Sequence, residues 1–287
     1  MKLDRYRRAV LANLDARCHA LPWRRAHAAR TVAWWLLAAG VIGATWFALA
    51  GYHAVFHPLN DWWRPVPDWL AECVTYCGDS LFALVLLLFV AQRYPQLLWL
   101  AAVTAGIATL LSRGLKALFD TARPGAVLPP GSFHLVGPLY QTHSFPSGHS
   151  VTAFALAASC AWFMPRPWMR WCAFALAVPV GLSRIGVGAH WPMDVLAGAA
   201  VGSASVLLGA PLAMRWDWGM RPPGHLLLVV ILAGCGVALL LREPVYPLAA
   251  LWAHSVAVGA LALTAWGYLV EPALQAADRR PAVPRRR

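Results

Sequence analysis

Long apolar stretches broken by short polar connections dominate the chain. A helix that crosses a bilayer takes about 20 mostly apolar residues. Stretches near 31–51, 79–94, 97–118, 148–165, 168–187, 191–214, 225–241 and 246–269 meet or approach that length. The second and the seventh are the weakest of the eight. Because the connections are brief, the pattern predicts an all-α, polytopic membrane helical bundle with no separate soluble domain. The expected organisation is a basic arm over residues 1–30, six spans over 31–214, two additional C-terminal spans over 215–270 and a basic tail over 271–287. No internal repeat is evident.

Composition agrees. Of 287 residues 60% are hydrophobic, only 13% are charged and 16 are Trp, the profile of an integral membrane protein. The net charge of +12 invites a nucleic-acid reading, but the positions of the cations argue against it. With the N-terminus on the cytoplasmic side, all Lys and Arg fall in cytoplasmic connections and termini except Arg64, Arg113, Lys116, Arg123, Arg184 and Arg242. That is the asymmetry of the positive-inside rule. The expected partners are therefore membrane lipids rather than nucleic acid, with both termini cytoplasmic. The arm mixes Arg with Leu, Val, Tyr and Trp, as suits a segment lying on the membrane face. Ala48-Leu49-Ala50 looks like a signal-peptidase site, but the basic stretch before it is long and the apolar run exceeds a signal h-region, so an uncleaved anchor is expected.

Cysteines add little. Cys160, Cys172 and Cys235 fall in spans as small apolar fillers, and the spacing of Cys73 and Cys77 suits a disulfide poorly. No Cys/His cluster has structural zinc spacing, and no metal or cofactor is expected.

Candidate chemistry gathers in three groups: "KALFDTARP" with Lys116, Arg123 and Pro124; "SFPSGHS" with Pro146, Ser147, Gly148 and His149; and "SRIGVGAHWPMD" with Ser183, Arg184, His190 and Asp194. Lys116 ends the third span, and Pro124 turns the chain out after Arg123. Gly148 and His149 open the fourth span, Ser183 and Arg184 close the fifth, and His190 and Asp194 open the sixth. Antiparallel neighbours bring all three groups to one membrane side, which the charge asymmetry makes the outer one.

The residue types suit a phosphate. Arg123 and Arg184 can each grip two phosphoryl oxygens in a planar fork, and Lys116 adds a point charge. A snorkelling or topological cation is the bland alternative for each. Lys116, however, is one of only two lysines in the chain, placed at the outer end of a span. Ser147 and Gly148 let helix N-terminal N–H groups approach an anion, and Ser147 can equally be an ordinary N-cap. His190 and Asp194, four apart, share a helix face, so the carboxylate can hold one ring N–H and leave the other nitrogen free to attack.

In order and spacing these residues resemble the type 2 phosphatidic acid phosphatase superfamily, whose pattern is K-x6-R-P, P-S-G-H and S-R-x5-H-x3-D. The pattern is complete here, across about residues 113–195. The resemblance implies a six-helix phosphatase core and a metal-independent hydrolase acting on a lipid phosphomonoester or diphosphate. It implies His190 as the nucleophile that becomes a phosphohistidine, oriented by Asp194. It implies His149 as general acid and then base. Lys116, Arg123, Ser147, Gly148 and Arg184 would bind phosphate. The arm and the last two spans lie outside the resemblance.

Alternatives remain. A lipid-binding or transport protein could keep the fold without chemistry, although it would have no need of a nucleophile with an orienting carboxylate. A vanadate-dependent oxidant is disfavoured by the spans. His134 and His143, in the 119–147 loop, are expected to be solvated, and His254 lacks a visible ionisable partner. Arg113 and Asp120 are expected to support Lys116 or Arg123. The Trp-rich 61–70 stretch is expected to form an aromatic belt. The 119–147 loop is almost uncharged across "GAVLPPGSFHLVGPLYQ". That favours a small head group on long chains, such as a polyprenyl diphosphate, phosphatidic acid or phosphatidylglycerophosphate, ahead of lipid A as a phosphatase or phosphotransferase substrate.

Overall fold

The structure is a computed structural model that describes residues 4, 6, 8, 10–14, 23 and 25–278. Most of the basic arm and residues 279–287 of the tail lie outside the described residues. The described residues form helices and no strand. In chain order these are α1 (Arg25–Ala50), α2 (Phe56–Trp63), α3 (Asp68–Tyr76), α4 (Ser80–Ala91), α5 (Pro95–Phe119), α6 (Gly148–Phe163), α7 (Pro167–Gly186), α8 (Pro192–Arg215), α9 (Pro222–Leu241) and α10 (Ala250–Ala265). A π-helical turn, Trp266–Val270, carries α10 into α11 (Glu271–Asp278). Each expected apolar stretch coincides with a helix. Four of them start on proline, at Pro95, Pro167, Pro192 and Pro222, where the missing N–H has no intrahelical partner to lose.

By length and composition five helical stretches among the described residues can cross a membrane, His27–Ala50, Pro95–Val127, Pro192–Arg215, Pro222–Leu241 and Pro247–Ala277. The pair α3 and α4, bent by 67°, makes a sixth. The 79–94 stretch is thus only the straight half of a bent element, because Asp79 breaks the run and caps α4 by accepting from Phe82 N (3.1 Å). The 16-residue α6 is short for a span, and α7 carries Arg170, Arg184 and an internal Pro179. Both are lined by buried residues, among them Phe154, Ala158, Trp162, Phe174 and Ala177, so neighbouring helices rather than lipid form much of their solvent.

One core joins α1, α5, α6, α7 and α8. Within it α8 lies close on α6: a Cβ at Gly198 would lie 2.7 Å from Ser147 O, and one at Gly202 would lie 2.6 Å from Val151 O. Small residues four apart let the two backbones meet in a medium that supplies no hydrophobic drive between helices. A second core packs α9 and α10 against α4 through Phe82, Val85, Leu88, Leu239 and Ala253. Cys73 and Cys77 are free thiols, with Cys77 Sγ 3.4 Å from Cys73 O.

Candidate functional site

The three motifs converge where the C-terminal ends of α5 and α7 meet the N-terminal ends of α6 and α8. The loop between α5 and α6 is tied to itself, with Arg123 N donating to Gln141 O and Ser144 N to Thr121 O, both at 2.9 Å. His143 in that loop has a positive φ of 54°, uncommon for a residue other than glycine. This conformation accompanies a carbonyl that serves the cations: His143 O accepts from Lys116 Nζ at 2.6 Å and Arg123 Nη2 at 3.4 Å. Arg123 also donates from Nε to Thr142 O (2.8 Å) and from Nη1 to Ala189 O (3.1 Å). One proton remains on each terminal nitrogen.

Arg184, 1% exposed, is held differently. Nη1 uses both protons, on Thr75 Oγ1 (2.5 Å) and on Tyr246 OH (2.7 Å). Its Nε is buried without a partner among the described residues. The guanidinium therefore keeps a donor edge for a ligand that a protein interior would not leave empty. After α7 the chain folds back, so that Ala189 N and His190 N both donate to Arg184 O, at 3.0 and 3.1 Å. That reversal sets His190 beside Arg184.

His190 is 2% exposed and Asp194 fully buried. Asp194 Oδ2 accepts from His190 Nδ1 (3.1 Å), Trp191 N (2.9 Å) and Ser144 Oγ (2.5 Å), while Oδ1 accepts from Tyr52 OH. A carboxylate only accepts, so the ring proton sits on Nδ1 and the Nε2 lone pair is free. Burial pushes the His190 imidazole down to about 3, against the opposing hydrogen bond to Asp194, and the positive Arg123 and Arg184 add to the shift. His190 is neutral. Burial and the adjacent carboxylate push Tyr52 up, so its hydroxyl stays a donor to Asp194.

Ser147 is fully buried and caps α6, its oxygen accepting from Ser150 N (3.4 Å) and Ser150 Oγ (3.0 Å). The N–H groups of Gly148 and His149, first in the helix, have no intrahelical acceptor. A Cβ at Gly148 would meet nothing within 4 Å, so there is open space beside these donors. His149 lies within electrostatic reach of Arg184, His190 and Arg123. All eight expected site residues are thus gathered at one end of the bundle.

From this end a cleft of about 670 Å³ runs between α4, α5 and α6. Lys116, His143 and Gly148 line its polar end, and Leu84, Ala108 and Leu156 its apolar length. Asp120 stands 3.5 Å from His143 Nε2, supporting the loop that holds the cations. Arg113 lines the cleft. In the Trp-rich stretch Trp62 and Trp69 are exposed, as a belt requires, whereas Trp63 is buried.

Sequence reasoning missed Tyr52, Thr75, Ser144 and Tyr246. Ser144 sits inside the quoted SFPSGHS stretch, and a polar residue two before the Pro was a usable signal. Thr75 and Tyr246 carry none.

The family model described as PAP2 superfamily matches residues 96–218. A lipid A 1-phosphatase of Rhizobium johnstonii is 31% identical over 233 residues, 72% of this chain and 91% of the relative. The chain belongs to the PAP2 superfamily. It is a multi-pass membrane protein and a lipid phosphatase, a phosphoric-ester hydrolase of that superfamily. An undecaprenyl-diphosphatase of Sulfolobus acidocaldarius is 32% identical over 117 residues, 41% of this chain and 55% of the relative. The crystal structure of Aquifex aeolicus LpxE overlays with a TM-score of 0.49 at 26% identity, covering 58% of this PAP2 chain and 97% of that one.

Proposed function

We propose that this PAP2 protein removes a phosphate from a lipid at the outer face of the bacterial inner membrane, through a phosphohistidine on His190. The observation that carries the reading is the buried His190–Asp194 pair (3.1 Å) beside the open donor edge of Arg184. His190 Nε2 attacks phosphorus as the bond to the lipid oxygen breaks, and His149 gives that oxygen its proton. Water then attacks the phosphorus, His149 takes the water's proton, the N–P bond breaks and inorganic phosphate leaves. Lys116, Arg123, Arg184 and the free N–H groups of α6 face the negative charge of the transition state.

The first substrate to test is the 1-phosphate of lipid A, because a lipid A 1-phosphatase is matched over 91% of its length. The anomeric oxygen of the sugar is also a better leaving group than an ordinary alkoxide when the P–O bond breaks, which suits a site with one acid. A polyprenyl diphosphate is the second, favoured by the nearly uncharged 125–141 loop and the similarity to an undecaprenyl-diphosphatase. In either case the apolar cleft takes an acyl or prenyl chain while its polar end presents the phosphate. The positive-inside asymmetry supports the outer orientation with cytoplasmic termini. The test is phosphate release in EDTA by purified protein from both lipids, from phosphatidic acid and from phosphatidylglycerophosphate in matched detergent. A higher kcat/KM for lipid A is expected. No release from any of them would turn the reading to a lipid binder or transporter.

A further inference from the structure

The family match ends at residue 218, yet the linker 242–249 between α9 and α10 returns to the site end of the bundle. It is clamped there. Arg242 Nη2 donates to Tyr76 OH (2.9 Å) and pairs with Asp79 Oδ2 (3.0 Å), and Glu72 Oε2 accepts from Leu248 N (2.7 Å) and Ala249 N (3.3 Å). Between these anchors Tyr246, 2% exposed, lies so close to the 119–147 loop that a Cβ at Gly137 would come within 2.5 Å of its ring. Its hydroxyl takes one Nη1 proton of Arg184 at 2.7 Å, and Thr75 takes the other at 2.5 Å.

We propose that Tyr246 is a positioning residue: it fixes the roll of the Arg184 guanidinium so that its unpartnered Nε edge meets the phosphoryl group. The C-terminal spans thereby complete the phosphate site. A planar fork is selective only when its plane is set. With both Nη1 protons engaged by two hydroxyls from different elements, the rigid guanidinium plane cannot swing about the Cδ–Nε bond. Loss of one acceptor would leave a buried donor free to seek another partner, turning the fork away from phosphorus. The proposal rests on the phosphatase reading above.

The test uses the purified full-length protein in detergent, measuring kcat, KM, inhibition by orthovanadate as a phosphate mimic, and melting temperature. Tyr246→Phe keeps the ring against Gly137 and removes only the hydroxyl. Turnover is expected to fall about tenfold. Vanadate inhibition should weaken by a similar factor, with KM and melting temperature little changed. In an Arg184→Lys background the same substitution should cost nothing further, since Lys has no fork to orient. Thr75→Val should reproduce the pattern from the other side and Thr75→Ser restore it, which covers the case of a poorly folding Tyr246 variant. Wild-type turnover and vanadate affinity in Tyr246→Phe, or an equal loss in the Arg184→Lys background, would overturn the proposal. An inactive wild-type protein would instead overturn the phosphatase reading on which it stands.

Discussion

Asp194 holds His190 by one oxygen while Tyr52, Ser144 and the Trp191 backbone hold Asp194. The histidine is therefore oriented by a carboxylate that has no rotational freedom of its own. In Asp194→Asn one of the two acceptor oxygens becomes an NH2 donor, and the negative charge that steadies a cationic His190 is lost. Turnover is expected to fall on the order of 10³-fold or more, as in other sites where the orienting carboxylate is lost. The check is kcat for the variant alongside Ser144→Ala and Tyr52→Phe. Each of those removes a single support and should cost far less.

A second prediction concerns pH. His190 folds with its pKa depressed to about 3 from an ordinary 6.5, so above pH 6.5 the folded and unfolded chains hold the same proton count at this residue. As pH falls below 6.5 the unfolded chain binds a proton that the fold refuses, and the native state loses about 1.4 kcal/mol per pH unit from this group. The stability contribution is lost on acidification, not on alkalinisation. The melting temperature of His190→Gln should accordingly fall less steeply between pH 6.5 and 4 than that of the wild type. Parallel curves would show that His190 is not held neutral.

The cleft gives a third. Ala105 lines its apolar length on α5. Ala105→Trp should fill it and lower kcat/KM for a long-chain lipid about tenfold more than for a short, water-soluble phosphate ester. Equal losses on both would mean that chains do not use this cleft.

Packing gives a fourth. Gly202 faces Val151 O across a gap that leaves 2.6 Å for a Cβ, against backbone that cannot yield. Gly202→Val should push α8 from α6 and lower the melting temperature, separating His149 on α6 from Asp194 on α8 and reducing turnover with it. A variant with unchanged stability would refute that close approach.

Much of this was legible in the chain because charge is costly in a membrane. Lys116, Arg123, Arg184, His190 and Asp194 stood out against apolar runs, and the helix-end geometry that gathers them follows from simple alternation of direction. The bent element of α3 and α4 was not legible: the apolar stretch was read from residue 79 onward, and the short Asp68–Tyr76 segment before it carries Asp68 and Glu72, which mask its part in one bent pair. Tyr246 was hidden for another reason: it meets Arg184 across 62 residues of chain, through a linker whose local sequence has no motif. Judging the head group from the polarity of the 119–147 loop put lipid A last, and the 31% identity to a lipid A 1-phosphatase moves it to the front of the test. The loop's backbone carbonyls at Thr142 and His143 hold Lys116 and Arg123, a role its side chains do not advertise.

The central claim is that His190 carries the phosphoryl group. The direct measurement is to mix the enzyme with a lipid substrate labelled on the phosphate, quench in alkali and map the label by mass spectrometry. The account predicts an acid-labile phosphohistidine at residue 190, absent in His190→Ala and longer-lived in His149→Ala, whose second step lacks its base. Label retained in His190→Ala, or found on another residue in the wild type, would contradict it.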